Sequence, residues 1–365
     1  GVRLAGTALG AGLAPHVRKG FAYSDCWVDD ARLVALTALD AAERGADIRT
    51  RTTLLAIRRH GDRWRATIRD SDGERDVLAR AVVNAAGPWV GDVIGLTEGV
   101  ADERPPRLVK GSHIVVPRMF AGDHAYILQN PDGRIVFAIS YERVFTLIGT
   151  TDVPYAADPE APAIDAEETA YLCDSVNRYF AKPIAPADVV HSYSGVRPLF
   201  DDGAEDASAV TRDYVLELGT EAAPQYLSVF GGKITTHRRL AEHALEKLAP
   251  FLPPMGATWT ADAPLPGGDI ADFDVFLAEV ERRWPFLPRP TAHRLARAYG
   301  TRIDRVLGDT QTFVDLGGGL TESEIDYLVA HEWARTADDI LWRRSKLGLH
   351  TDRETRWRIE QKLGR

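Results

Sequence analysis

VFGGKITTHRRLAEHALEKL, residues 229–248, carries a β-branched run into Gly231 and Gly232, then Lys233, then Thr235 and Thr236. A helix-period pattern follows at once, with Leu240, Ala244, Leu245 and Leu248 on one face. A junction of this kind delivers bare backbone N–H groups to an anionic or electron-rich edge, because a helix N-terminus carries partial positive charge. A glycine-rich turn closed by a Thr N-cap would read the same way, so the rest of the chain has to identify the edge.

Upstream, AVVNAAG (81–87) is a compact apolar run of the kind found in buried parallel strands, and it runs into a Gly-Pro turn and a helix at WVGDVIGL. Small residues after such a strand, here Ala86 and Gly87, let the main chain lie against a ligand. Before it come a helix opening at Asp29 and ending at Gly45, then two short strands, TTLLAIRR and RWRATIRD, joined by HGD. The Asp29/Asp30 pair is read as an N-cap rather than an acid–base couple. Trp27, Trp64 and Trp89 are read as packing residues.

From Arg107 the pattern changes to strand after strand: LVKGSHIVVP, AYILQN, RIVFAIS and VFTLIGTTD, separated by turn signals such as NPDG. This reads as an antiparallel sheet able to roof a ligand site. A helix, AEETAYLCDSVNRYF, and two strands, VVHSYSGVRPL and DYVLEL, lead back to the opening stretch. Beyond LPPMGATWTADAPLPGGD, a Pro- and Gly-rich linker, six segments in succession carry helical periodicity.

The chain has 365 residues, 44 Lys+Arg and 53 Asp+Glu, a net charge of −9. A length above about 250–300 residues predicts more than one core, and the acidic balance excludes a nucleic-acid partner. Two distant cysteines, Cys26 and Cys173, suggest neither a disulfide framework nor a metal site, in keeping with a reducing compartment. No apolar run reaches the roughly 18 residues of a spanning helix. GAGLAPH at Gly10 matches G-x-G but places Pro15 at the third glycine, with no apolar strand leading in, and is read as loop.

Taken in order, GFAYSDCWVDDARLV, VVNAAGPWV, KGSHIVVP, AYILQN, IGTTDV, YSGVRPL, TRDY, FGGKITT and LAEHALEKL closely resemble the FAD-dependent glycerol-3-phosphate dehydrogenase family. HEWARTADDILWRRSKLGL resembles that family's C-terminal domain. The resemblance implies an α/β fold of the FAD-binding, glutathione-reductase-like or D-amino-acid-oxidase-like type, with an antiparallel substrate sheet and a C-terminal helical domain. It also implies an N-terminal βαβ unit with a GxGxxG turn, which these residues do not include. Since the chain begins at Gly1 in an apparent loop, the expectation is that it starts partway into a longer protein. The expected division is 1–106 for the remainder of the FAD-binding domain, 107–195 for the substrate sheet, 196–250 for the return to the FAD domain, 251–268 for a linker and 269–365 for the helical domain.

The same resemblance supplies expected roles. Ala86, Gly87, Gly231, Gly232, Thr235 and Thr236 would contact FAD. Arg197 and Arg212 would bind substrate phosphate or hydroxyl oxygens, with Lys233 bridging substrate and flavin. His113 has the side chain suited to take the hydroxyl proton as a secondary alcohol is oxidised. One departure is His237, where the family pattern often has Tyr. The reaction implied is oxidation of sn-glycerol 3-phosphate to dihydroxyacetone phosphate, with electrons passed to a membrane quinone by a cytoplasmic protein held peripherally at the inner face of the cell membrane. A homodimer is left open. Two rival readings are an amine or amino-acid oxidase of the same flavoprotein superfamily and a non-catalytic fragment or subunit needing a separate FAD-binding part.

Overall fold

The computed structural model describes residues 1–100, 106–199, 213–219 and 224–364. The chain divides into two compact units, one made of Gly1–Ser24 and Thr52–Ala257, the other of Asp25–Arg51 and Thr258–Arg365.

In the first unit, β1 (Val2–Arg3) and β2 (Lys19–Gly20) form a short antiparallel pair. Gly10 ends a single 3-10 turn, Ala8–Gly10, and a Cβ there would lie 2.0 Å from the Leu4 carbonyl oxygen. The G-x-G match is therefore loop, with glycine required by close backbone approach. β3 (Thr53–His60), β4 (Arg63–Asp70) and β5 (Gly73–Ala79) make an antiparallel meander.

β6 (Ala81–Asn84) completes the first set, and β7 (Arg107–Pro117), β8 (Ala125–Gln129), β9 (Ile135–Tyr141), β10 (Phe145–Gly149), β11 (Val153–Pro154), β12 (His191–Leu199), β13 (Val215–Leu218) and β14 (Gln225–Phe230) follow. β14 pairs parallel with β6 and antiparallel with β13. Every residue of β14 is buried. Tyr226 and Phe230 pack with Ile57, Trp64, Val90 and Ile94, whereas Leu227 and Val229 pack with Leu216, Ala244 and Leu248 of the helix His237–Leu248. Burial on both faces explains why apolar residues stand on both faces of this strand, in Tyr226, Leu227, Val229 and Phe230, instead of at every second position.

The larger sheet has β7 at its centre. β12 pairs along one edge of β7, while β10 and β11 share the other edge end to end, and β9 and β8 continue outward from β10. One face of this sheet, carrying Ile114, Val116, Val136, Ala138 and Ile148, is closed by Leu172, Cys173 and Val176 of the helix Ala166–Asn177.

The second unit is helical: Asp30–Glu43, Phe273–Arg283, Arg289–Tyr299, Ile303–Leu307, Glu322–His331 and Arg353–Lys362, with a π-helical turn at Asp339–Arg344. Asp29 caps the first of these, its carboxylate accepting from the Arg32 N–H at 3.2 Å. The expected division changes here. Residues 1–106 do not stay together, because Arg32 forms a buried bidentate pair with Glu332 (2.5 and 2.9 Å) and the buried Arg302 a bidentate pair with the exposed Glu43 (3.0 and 2.6 Å). A buried guanidinium requires a carboxylate partner, and the one supplied lies 300 positions away.

Among the three tryptophans, only Trp64 is core, its Nε1 donating to the Gln225 carbonyl at 2.8 Å. Trp27 and Trp89 are exposed, contrary to their reading as packing residues; Trp27 instead lies under Arg297, whose guanidinium carbon is 4.8 Å from the ring centre. Among the described residues, no helix is long and apolar enough to cross a membrane.

Candidate active site

The sheet face turned away from the helix Ala166–Asn177 carries the candidate chemistry. Side chains alternate across a strand, so Lys110, Ser112 and Ile114 point to that helix, whereas Val109, Gly111 and His113 point to the opposite face. Direct register partners extend this face over neighbouring strands: His113 lies opposite Tyr193 on β12 and Gly149 on β10, Gly111 opposite Gly195, and Val109 opposite Arg197.

The His113 imidazole is stacked on the Tyr193 ring, with centroids 5.0 Å apart and planes 10° apart. On its other side it lies over Gly149, where a Cβ would come within 2.1 Å of the ring. The ring is thus clamped between an aromatic face and a position that must lack a side chain.

Arg197 crosses β7 above Gly111. Its guanidinium donates to Asp152 and, at 3.2 Å, to the Thr150 hydroxyl. A Cβ on Gly111 would lie 2.5 Å from the guanidinium. Asp152 and Thr150 reach this position because the edge bulges: three residues, 150–152, intervene between the Gly149–His113 and Val153–Lys110 pairs, against two on β7. Bulges re-aim side chains near functional sites. Between the His113–Tyr193 pair and the Val109–Arg197 pair lies a floor of two opposed glycines, Gly111 and Gly195, and a Cβ on Gly195 would meet no atom within 4 Å.

The glycine turns are gathered at the end of β12. A Cβ on Gly231 would lie 3.1 Å from the Asp213 carbonyl oxygen and 3.6 Å from that of Pro198, the residue after Arg197. Gly231 and Gly232 take φ of 69° and 100°, conformations suited to glycine. Lys233 follows them, exposed and, among the described residues, without an ion pair. Thr235 and Thr236 form a 3-10 turn that opens the helix His237–Leu248. The Thr236 N–H closes onto the Lys233 carbonyl at 3.0 Å, so that amide serves the turn and is not directed at a ligand.

The turn of Ala86 and Gly87 lies alongside β12. Asn84 builds it, its amide nitrogen donating to the Val90 carbonyl at 2.8 Å and its oxygen accepting from the Ala86 N–H at 3.3 Å. Gly87 has φ 58°, and a Cβ there would meet nothing within 4 Å. The structure therefore brings His113 and Arg197 onto one sheet face and draws the turns at 86–87 and 231–236 to the same strand. Arg212 lies outside the described residues. Tyr193, Asp152, Thr150 and the floor glycines escaped sequence reasoning, although a signal was present: a glycine inside each of three strands, KGSH, YSGV and LIGT, marks close approach of another group.

Residues 4–238 match the family described as FAD dependent oxidoreductase, and residues 258–360 match the C-terminal domain of alpha-glycerophosphate oxidase. A glycerol-3-phosphate dehydrogenase of Pseudomonas aeruginosa is 49% identical over 100% of this chain and 72% of its own length. A D-erythritol 1-phosphate dehydrogenase of Brucella abortus is 50% identical, covering 93% and 70%. The aerobic glycerol-3-phosphate dehydrogenase of Escherichia coli is 46% identical, covering 96% and 72%. The crystal structure of a glycerol-3-phosphate dehydrogenase from Bacillus halodurans complexed with FAD superposes with a TM-score of 0.74 at 26% identity, covering 92% of this chain and 72% of that one. With both segments matched and these relatives aligned along nearly all of it, the chain belongs to the FAD-dependent glycerol-3-phosphate dehydrogenase family of oxidoreductases.

Proposed function

We propose that this protein oxidises the secondary hydroxyl of sn-glycerol 3-phosphate to give dihydroxyacetone phosphate and delivers the electrons to a membrane quinone. The observation that carries the reading is the placement of His113 and Arg197 on one sheet face, with the Arg197 guanidinium lying over Gly111, two positions along β7 from His113. Two positions along a strand span about 7 Å, a separation suited to a three-carbon phosphate whose two ends need different partners.

His113, held between Tyr193 and Gly149, takes the hydroxyl proton. Arg197, with Lys233 and with Arg212 outside the described residues, holds the phosphate and hydroxyl oxygens. Because one part of the Arg197 guanidinium already faces Asp152, its remaining donors orient the substrate, and Lys233 supplies the uncompensated positive charge that a phosphate dianion requires.

FAD, when bound, supplies the two-electron acceptor. The residues proposed to hold it fit the group: Gly87, Gly231 and Gly232 present main chain without side chains at positive φ, and Ala86 adds only a methyl. Thr235 is retained as a contact, while the Thr236 amide is engaged within its turn. In this reading the sheet built on β7, including Arg197 on β12, binds the substrate, and the parts of the first unit that carry the turns 86–87 and 231–236 serve the cofactor. Attachment to the inner face of the cell membrane is peripheral, through the second unit, where Trp357 is exposed among basic residues.

A second reading is favoured by the Brucella relative: a longer polyol phosphate such as D-erythritol 1-phosphate. The test is anaerobic addition of each phosphate to the FAD-loaded enzyme, read as loss of the visible flavin absorbance, followed by quinone reduction. The proposal requires bleaching by glycerol 3-phosphate with a kcat/KM above that for erythritol 1-phosphate. The reverse order assigns the longer substrate, and substrate-dependent peroxide with an amino acid would restore the oxidase reading.

A further inference from the structure

On the sheet face turned away from His113, one buried carboxylate links β7 to the bulged segment 150–152 and, through Ser112, to β12. Glu168 is 6% exposed. Its Oε1 accepts from the Thr151 hydroxyl at 2.7 Å and the Ser112 hydroxyl at 2.9 Å. Its Oε2 accepts from Lys110 Nζ at 2.8 Å and the Asp165 N–H at 3.1 Å. Thr151 also accepts the Ser112 N–H at 2.9 Å, and the Ser112 and Ser194 hydroxyls are 2.8 Å apart.

The hydroxyl-bearing members of this network each adjoin a residue of the site. Ser112 precedes His113, Ser194 lies between Tyr193 and Gly195, and Thr151 lies between Thr150 and Asp152, the two residues that hold Arg197. A capping-box glutamate normally sits at the surface of a helix end. Glu168 completes such a box with Asp165, yet its carboxylate is drawn under the sheet. Burial alone would raise its pKa, but Lys110, Thr151, the Asp165 N–H and Ser112 together hold it below the ordinary carboxylate range.

We propose that Glu168 is a positioning residue for phosphate recognition: through Thr151 it fixes the bulged segment Thr150–Asp152, and thereby sets the Arg197 guanidinium across Gly111. The inference rests on the role given above to Arg197. The contacts divide the bulged segment: Thr150 and Asp152 meet Arg197, while Thr151 meets Ser112 and Glu168.

The test is T151V, with T151S as the conservative partner, in the FAD-loaded enzyme. T151V keeps the volume and the Lys110–Glu168 pair but removes the hydroxyl between Glu168 and the bulge. Expected is a rise of about tenfold in both the KM for glycerol 3-phosphate and the inhibition constant for inorganic phosphate, the scale of one lost hydrogen bond to a charged group. The value of kcat should stay within about threefold, and T151S should restore the wild-type constants. A purely structural role would lower the melting temperature while leaving both constants in place, and that result overturns the proposal. T151A supplies the same comparison if the valine variant does not fold. R197K separates the two layers of argument. Unchanged phosphate constants in R197K would sink the role of Arg197 itself, whereas weakened constants there beside normal ones in T151V would sink only the positioning role.

Discussion

Arg197 meets Asp152 across the bare backbone of Gly111, with the strand that carries His113 running between them. The pair is half exposed and adds little to stability on its own. Its consequence is geometric: a long side chain from one edge of β7 is caught by residues on the other edge, so its remaining donors point to a defined place above the glycine floor.

Gly111→Ala tests that relationship directly. The added methyl would lie 2.5 Å from the guanidinium and 2.8 Å from the Thr150 hydroxyl, so Arg197 must move. We expect KM for glycerol 3-phosphate to rise by about tenfold or more, with the melting temperature close to wild type. Steady-state kinetics on the purified variant decide the point, and an unchanged KM would remove Arg197 from substrate binding.

His113→Ala removes the proposed proton acceptor. General-base loss costs typically about 10²–10⁴ in rate, and a fall of that order is expected in kcat/KM under single-substrate conditions. Tyr193→Phe keeps the stacked ring and should stay near wild type, while Tyr193→Ala frees the imidazole and should lose part of the same factor. Equal activity of the phenylalanine and alanine variants would deny the clamp any role.

The Arg32–Glu332 pair makes a prediction about stability instead of activity. Glu332 is fully buried and accepts both guanidinium nitrogens. Glu332→Ala leaves Arg32 charged and without that carboxylate, at a cost of about 3–5 kcal/mol. Urea denaturation should show the loss in the helical unit. Arg32→Met combined with Glu332→Met should recover much of it, because no buried charge then remains.

Acid should loosen the helical unit through Asp339. Burial alone would raise its pKa, but the N–H groups of Arg335 and Thr336, the Thr336 side chain and the Arg51 guanidinium outweigh it and lower the pKa to about 2. An unfolded aspartate titrates near 4. With the folded value depressed, the stabilisation is complete above about pH 4 and is lost as pH falls from about 4 to about 2. Urea midpoints measured at pH 5 and pH 2.5 should differ in wild type by more than in Asp339→Asn, in which this carboxylate cannot titrate.

How much could be read before the fold was known differs between local and distant features. The strand AVVN with the turn after it, the antiparallel sequence from Arg107 and the Asp29 cap were all legible, because periodicity, glycine and capping chemistry act within a few residues of chain. The candidate residues His113 and Arg197, which the structure brings onto one sheet face, could be picked out through the motifs that contain them. The Thr236 amide was misjudged because a 3-10 turn closes one residue sooner than an α-turn, a difference the letters do not carry.

By itself, the sequence determined the class of protein, the two-faced strands and the residue types available for binding an anion and accepting a proton. Tertiary structure alone decided that Asp152 and Thr150 hold Arg197, that Glu168 accepts from Thr151 in the bulge, and that the helix Asp30–Glu43 shares its ion pairs with residues about 260–300 positions later. The physical reason is register. One extra residue at a strand edge changes which side chains face the substrate, and a buried charge selects its partner by position in space, with no trace in the spacing along the chain.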